Sequence, residues 1–512
     1  MTTTDLSKVR LLTKPARLFR GWTPAQRLGA LTAAATQAVL LFWWVGFYPG
    51  TLSFDSVAYV WQVSTGNWTT QHSVLYNGFV WLSLRATGQL AVLTLAQTVA
   101  LAAGLAYAVV GLYRLGAPGR WVGFSAVAAV CLPMVGTFAV YVSKDVPFAL
   151  TQVWLLGTVA RIVADRPRHA SPPRPRHDRL SVHRGLWFAL LAEFVLLGLF
   201  RQNGFAVIAV AGVVLALVLA GLRLRVLLCA GAAIAVGGLA NLVVYPGLGV
   251  RPAGSELVLG PAYSDIAVAY ARRPADFTPS ELALLTAVAP LSYWRTTANC
   301  YNSDATVTYT NPDFSIDAAR AHSGELARLW VRLVKRMPDE IASARLCRGA
   351  IAWNPFPGPT RGRTVKIPIA GVTSYFDFPV SRLDASPYKG AIRLAPLSPA
   401  AHTVGVWLRK LSDTRQFEWL AWRGATWSYL AYASLILYAR RRRDLAVLGL
   451  GAVILANQLT VALNNPGQLV RYMAGPLILG ILLLPLAFAQ PRPRPRSDGV
   501  DHEVSGADSS RS

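Results

Sequence analysis

The chain has 512 residues, 53% of them hydrophobic, and carries 50 Lys and Arg against 25 Asp and Glu, a formal net charge of +25. Its apolar residues come in long unbroken blocks, which excludes a soluble enzyme of this length. The charge excess does not call for nucleic acid as a partner, because it gathers in the loops between the blocks, where membrane proteins concentrate Lys and Arg on one side of the bilayer.

A helix needs roughly 20 mostly apolar residues to cross a hydrocarbon core about 30 Å thick. Taken in chain order, the blocks predict about ten spans: Leu28 to Phe54, Ala86 to Tyr113, Trp121 to Ser143, Val146 to Ala160, Gly185 to Phe200, Gly204 to Leu222, Val226 to Val250, Ala425 to Ala439, Leu445 to Leu463 and Met473 to Ala489. The fold class expected is an α-helical polytopic membrane protein with a small extracytoplasmic mixed domain.

Residues 1–27 carry Lys8, Arg10, Lys14, Arg17, Arg20 and Arg27, which makes the amino terminus a basic cytoplasmic segment. Every second loop is then expected to be basic, and the sequence agrees: Arg114 and Arg120, the cluster from Arg161 to Arg184, Arg223 and Arg225, Arg440 to Arg443, and the PRPRPR run with Arg492, Arg494 and Arg496. Both termini are therefore expected inside. No small-residue cleavage site comes after a short apolar core near the start, so the first span reads as an uncleaved anchor.

Spans one to seven form a membrane core over 28–250, interrupted by a disordered cytoplasmic linker over 164–184, whose Pro- and Arg-rich composition cannot build a core. Residues 251–423 form the extracytoplasmic domain, with a helical run from Asp317 to Arg336 and an interfacial helix within Val404 to Trp427. Spans eight to ten occupy 424–490, and a disordered cytoplasmic tail occupies 491–512. Cys131 and Cys229 fall in spans as small apolar residues. Cys300 and Cys347 fall in the external segment, where they can join as a disulfide or stay as thiols.

The external loops hold the residues with chemistry. Asp55 comes just after the first span and His72 lies seventeen residues later; a carboxylate there can deprotonate a hydroxyl, hold a divalent cation, or simply cap a helix beginning at Ser56. In SKDVP, Lys144 and Asp145 sit where the third span surfaces and the fourth begins, and Asp145 can cap that helix with Pro147 in its first turn. FRQNG brings Arg201, Gln202 and Asn203 to the third external turn, and NNPGQLVRY brings Arg471 and Tyr472 to the last. Arginines on the outer face run against the positive-inside bias; a bidentate phosphate contact or a lipid headgroup explains them. Glu193, midway along the fifth span, is a functional candidate that an arginine of the bundle can pair. There is no Walker loop, dinucleotide-binding glycine fingerprint, paired CxxC or HExxH, which weakens a nucleotide-driven pump and a zinc enzyme.

Asp55 in a long first external loop, the acidic SKD at Asp145, RY at Arg471 and a large late external segment together resemble the GT-C class of membrane glycosyltransferases, which use polyprenyl-phosphate-linked sugars. The resemblance is greatest over Leu28 to Val163 and to the bacterial branch related to protein mannosyltransferases. It implies a bacterial plasma-membrane enzyme whose partners are a polyprenyl-phosphate sugar donor and membrane lipids. It carries the role of catalytic base to Asp55 and that of the second-loop acid to Asp145, while the paired Asp-Glu of the mannosyltransferases is replaced here by Asp55-Ser56. On this reading Lys144, Arg201 and Arg471 stabilise the departing phosphate, with Asn203 and Tyr472 beside them. His72 and Asp145 position the acceptor, or Asp55 and Asp145 hold a divalent cation. A transporter or flippase of lipid-linked saccharides is the competing expectation, and would place its polar residues near the bilayer midplane.

Overall fold

The structure is a computed structural model, and it describes residues 21–166, 176–307, 311–356, 358–359, 362–369 and 383–489. Among the described residues the chain is helical, with isolated bridges and no strand. Among the described residues six helices are long and apolar enough to cross a membrane: Pro24–Gly46, Ala91–Arg114, Asp145–Asp165, Ala220–Gly247, Leu445–Leu463 and Val470–Phe488. The pair Gly119–Cys131 and Pro133–Ala139, bent by 74°, makes a seventh if it is one span.

The differences from the ten blocks have local causes. The first helix stops at Gly46, short of the expected Phe54, because Pro49 lacks the N–H a helix would use, and a separate helix, Phe54–Thr65, begins after Ser53. The second block is split at Gly88, whose φ of +68° closes the Val74–Thr87 helix before Ala91–Arg114 starts. Pro133 opens a new helix inside the third block and bends it. Gly204–Val218 has only 15 residues. Arg176–Phe200 and Gly424–Arg442 carry several arginines each.

The Arg176–Phe200 helix also takes in the second half of the segment expected to be a disordered linker, and the helix before it runs to Asp165. Residues 167–175, the basic residues 1–20 and the tail from 490 onward lie outside the described residues.

Packing fixes the helices by shape. Gly136 lets the Trp43 indole lie against its helix, since a Cβ there would collide with the ring. A continuous core of buried Leu, Val, Ala and aromatic side chains joins the long helices. Leu31, Phe124, Phe188, Leu217, Leu228 and Leu242 stay exposed on their flanks, the pattern of a surface that faces lipid rather than water.

The two ends of the bundle differ in character. At one end the arginine-rich loops tie the helices together: Arg442 donates to the Leu115 carbonyl at 2.7 Å, Arg166 pairs with Asp444, and Arg441 donates to the Ala487 carbonyl. At the other end lies the region spanning 251–423, whose described residues form helices and loops with no strand. Its helices Ser255–Arg272, Pro279–Val288, Ser323–Arg336 and Pro338–Arg348 enclose their own core around Tyr263, Trp294, Leu329 and Leu333. The helical run expected from Asp317 breaks at His322, and the expected interfacial helix is two helices, Pro399–Ser412 and Arg415–Ala421.

Cys300 and Cys347 are joined as a disulfide, with Cα atoms 5.7 Å apart. Buried Asp265 is gripped by Arg345 and by Arg348, the latter at 2.9 Å. The region is clasped to the bundle by backbone pairs: Thr70 donates to Arg251, Ser303 to Pro466, and Val365 to Gln468.

Candidate functional site

Four segments far apart in sequence bring the charged residues of the loops to one place, at the end of the bundle that carries the 251–423 region. Asp55 sits in the first turn of Phe54–Thr65, where the positive end of the helix favours a carboxylate. It is not the cap: Ser53 precedes the helix, and its N–H donates to Ser56 Oγ at 2.9 Å. Asp145 is the first residue of Asp145–Asp165, buried at 2% exposure. Its neighbour Lys144 occupies the cap position, and the Asp145 N–H donates to Ser143 Oγ at 3.3 Å.

The arginines bind these carboxylates together. Arg471, at the start of Val470–Phe488, forms a direct ion pair with Asp55, and its Nε lies 3.2 Å from Asp145 Oδ2. Arg201 pairs with the other oxygen of Asp145. Arg201 Nε donates to Asn203 Oδ1 at 2.9 Å, and the guanidinium lies 4.5 Å from the Tyr472 ring centroid. The result is an alternating row, Asp55, Arg471, Asp145, Arg201, with Asn203 and Tyr472 orienting its last member. Asn203 is thus engaged in holding Arg201.

Lys144 reaches across to the Gln71 carbonyl at 2.9 Å, and the ring of His72 meets Tyr59 edge-on at 4.9 Å. His72 is buried, and its Nδ1 has no hydrogen-bond partner among the described residues. Beside them is a cavity of about 20 Å³, lined by Thr70, His72, Ser73, Lys144, Arg201 and Gln202 among others. That is room for about one water.

The electrostatics result from this crowding. Burial works to raise the Asp55 carboxyl, but Arg471 and Lys144 outweigh it and hold the group well below the usual carboxylate range. Burial, reinforced by Lys144, pushes His72 down to about 3, so its imidazole is neutral near pH 7. Burial also lowers Lys144 to about 8 against the opposing pull of Asp55 and Asp145.

Sequence reasoning missed three hydroxyls. Tyr141 OH accepts from Arg471 at 3.1 Å and lies 2.6 Å from Ser53 Oγ, and Tyr59 OH accepts from the Lys144 N–H at 3.3 Å. Tyr59 was detectable, because it stands four residues after Asp55 and shares its helix face. Tyr141, in the stretch leading to SKD, carried no such signal. Glu193 accepts from Thr158 Oγ1 at 2.7 Å, away from this row, with Arg161 near enough to attract it electrostatically.

Among the described residues no group of three or more His, Cys, Asp or Glu side chains could hold a metal ion. Asp55 and Asp145 are each engaged by arginine.

Comparison of the chain with protein-family models, curated proteins and solved structures returns no match. The chemistry therefore rests on the residues themselves. The row can bind an anion through two arginines and a lysine, and it offers one carboxylate, Asp55, at 23% side-chain exposure.

Proposed function

We propose that the protein is an integral membrane glycosyltransferase of the GT-C kind, transferring a sugar from a polyprenyl-phosphate donor to an acceptor outside the bacterial plasma membrane. The observation that carries this reading is the pairing of Asp55 with Arg471 beside Asp145, Arg201 and Lys144. A phosphate entering the row competes with Asp55 for Arg471. Donor binding itself thereby frees the carboxylate and restores its basicity, which would otherwise be too low for proton abstraction.

In the proposed step an acceptor hydroxyl gives its proton to Asp55 while its oxygen forms a bond to the anomeric carbon. The bond from that carbon to the phosphate oxygen breaks, and polyprenyl phosphate leaves with its charge held by Arg471, Arg201 and Lys144. Neutral His72 accepts a hydrogen bond from the sugar or the acceptor at its unpartnered Nδ1. The present cavity admits a water and no sugar, so donor binding opens the site.

The same proposal sets the topology. The bent pair, Arg176–Phe200, Gly204–Val218 and Gly424–Arg442 cross with the six longer helices to make ten spans, with both termini cytoplasmic and the row at the outer headgroup level. The transporter reading has less support, because the arginines and carboxylates gather at one end of the bundle instead of around its midplane.

The test uses purified protein with polyprenyl-phosphate sugars and candidate acceptors. Asp55→Asn is expected to lower transfer by roughly 10²–10⁴-fold while donor binding persists. Undiminished transfer removes Asp55 as base, and the absence of transfer from any lipid-linked donor by the parent protein sinks the reading.

A further inference from the structure

A second cationic site lies apart from the row, where residues 362–369 pass beneath the helices Pro399–Ser412 and Arg415–Ala421. Its lining includes Arg363, Lys366 and Arg409 together with Ile367, Pro368 and Ile369, around a cavity of about 560 Å³. That is the size of a small-molecule site.

Lys366 and Arg409 are not loosely held surface groups. Arg409 is 7% exposed, its guanidinium lies 4.2 Å from the Trp422 ring centroid, and one nitrogen donates to Asp413 at 2.6 Å. Its Nε has no acceptor among the described residues. Lys366, with a side chain 8% exposed, pairs with Asp413, and Arg363 donates to the Asp413 carbonyl at 3.2 Å. Behind them, fully buried Glu418 accepts from Thr364 at 2.7 Å and lies 3.7 Å from Arg423. Among the described residues the acidic partners of Arg363, Lys366, Arg409 and Arg423 are Asp413 and Glu418, and for the buried Lys366, Arg409 and Arg423 unbalanced charge is costly.

The surroundings indicate what offsets it. Trp407, Leu411, Phe417 and Trp419 are exposed on the two covering helices, and tryptophans on amphipathic helices mark the headgroup level of a bilayer. The Arg415–Ala421 helix leads directly into Gly424–Arg442 of the bundle. An anion whose site combines buried arginine with Ile367, Pro368 and Ile369 is an amphiphile.

We propose that this cavity binds the phosphate headgroup of an anionic membrane lipid, with Arg363, Lys366 and Arg409 holding the phosphate and Ile367, Pro368 and Ile369 contacting the adjoining apolar part. Val365 pairs through its backbone with Gln468 and Val470, one residue from Arg471, so an occupied headgroup site steadies the segment that presents Arg471. The inference stands on the cavity itself and does not require the row at Asp55 to be catalytic.

The test is native mass spectrometry of the delipidated full chain, titrated separately with phosphatidylglycerol, phosphatidylcholine and inorganic phosphate. Phosphatidylglycerol is expected to bind most tightly, and about tenfold more weakly to Lys366→Gln and to Arg363→Gln, the scale of one charge-assisted contact. Arg363 is 47% exposed along its side chain, so its replacement leaves the fold intact if the Lys366 variant fails. Equal binding by a folded Arg363→Gln variant overturns the proposal. Weakened binding in Arg471→Gln alone assigns the lipid to the other site and also overturns it. Inorganic phosphate that binds as well as the lipid makes this a soluble-anion site, and the lipid assignment falls.

Discussion

Asp55 and Arg471 are 416 residues apart in the chain and meet as a direct ion pair. The same guanidinium touches Asp145, so one arginine separates two carboxylates that would otherwise repel. Arg471→Ala is therefore expected to destabilise the protein by about 3 kcal/mol or more, the cost of leaving a partly buried charge uncompensated. Arg471→Ala with Asp55→Asn in one chain should recover part of that loss. Thermal unfolding of the two singles and the double checks this, and strict additivity would show that the pair contributes no coupling.

Lys144 sets an alkaline limit. An unfolded lysine titrates near 10.4, whereas burial holds Lys144 at about 8. Between these values the unfolded chain binds more protons, so this group makes stability rise with pH. Activity should move the opposite way, falling above pH about 8 as the ammonium is lost. Lys144→Arg keeps its charge and should carry activity to higher pH. Superimposable pH–rate profiles would show that the Lys144 charge is not used.

His72 sets an acid limit. Its folded value of about 3 lies below the unfolded value near 6.5. Between these the unfolded chain again binds more protons, so stability falls as pH drops from 6.5 towards 3. Asp55 adds nothing in most of that window, because its depressed carboxyl stays ionised in both states until the pH nears the unfolded value of about 3.9. His72→Gln should flatten the acid side of the stability curve, measured as melting temperature between pH 4 and pH 7. An unchanged slope assigns the acid sensitivity elsewhere.

The Cys300–Cys347 disulfide closes a loop with a sequence separation of 47. A loop of that size is worth about 4 kcal/mol in lost unfolded-state entropy. Reduction, or Cys300→Ser with Cys347→Ser, should lower the unfolding temperature of the 251–423 region, readable as protease sensitivity confined to that segment. Identical digestion of oxidised and reduced protein would contradict this.

Gly349 marks a close approach of that region to the bundle. A Cβ there would collide with the Ala462 carbonyl, and backbone on both sides leaves nothing to yield. Gly349→Ala should cost roughly 1–3 kcal/mol by overpacking and loosen the docking of Pro338–Arg348 onto Leu445–Leu463. Hydrogen exchange at the two helices reads it, with unaltered protection arguing against a tight contact.

The amino-acid sequence by itself determined the features that local composition controls. Long apolar blocks dictate helices, because the backbone must satisfy its own hydrogen bonds in lipid, and arginines in alternate loops mark one end of the bundle. Loop position was enough to mark Asp55, His72, Lys144, Asp145, Arg201 and Arg471 as charged or titratable residues at the ends of the spans. Tertiary structure decided the rest. Where each helix breaks depended on Pro49, Gly88 and Pro133 within blocks that look continuous by hydropathy. That Asp55 faces Arg471, that Arg201 faces Asp145, and that Glu193 faces Thr158 depends on which helices pack side by side. So does the gathering of Arg363, Lys366 and Arg409 around one cavity. Charge pairing acts over a few ångströms, and the distances that matter here are set by packing between segments tens to hundreds of residues apart, which no local pattern encodes.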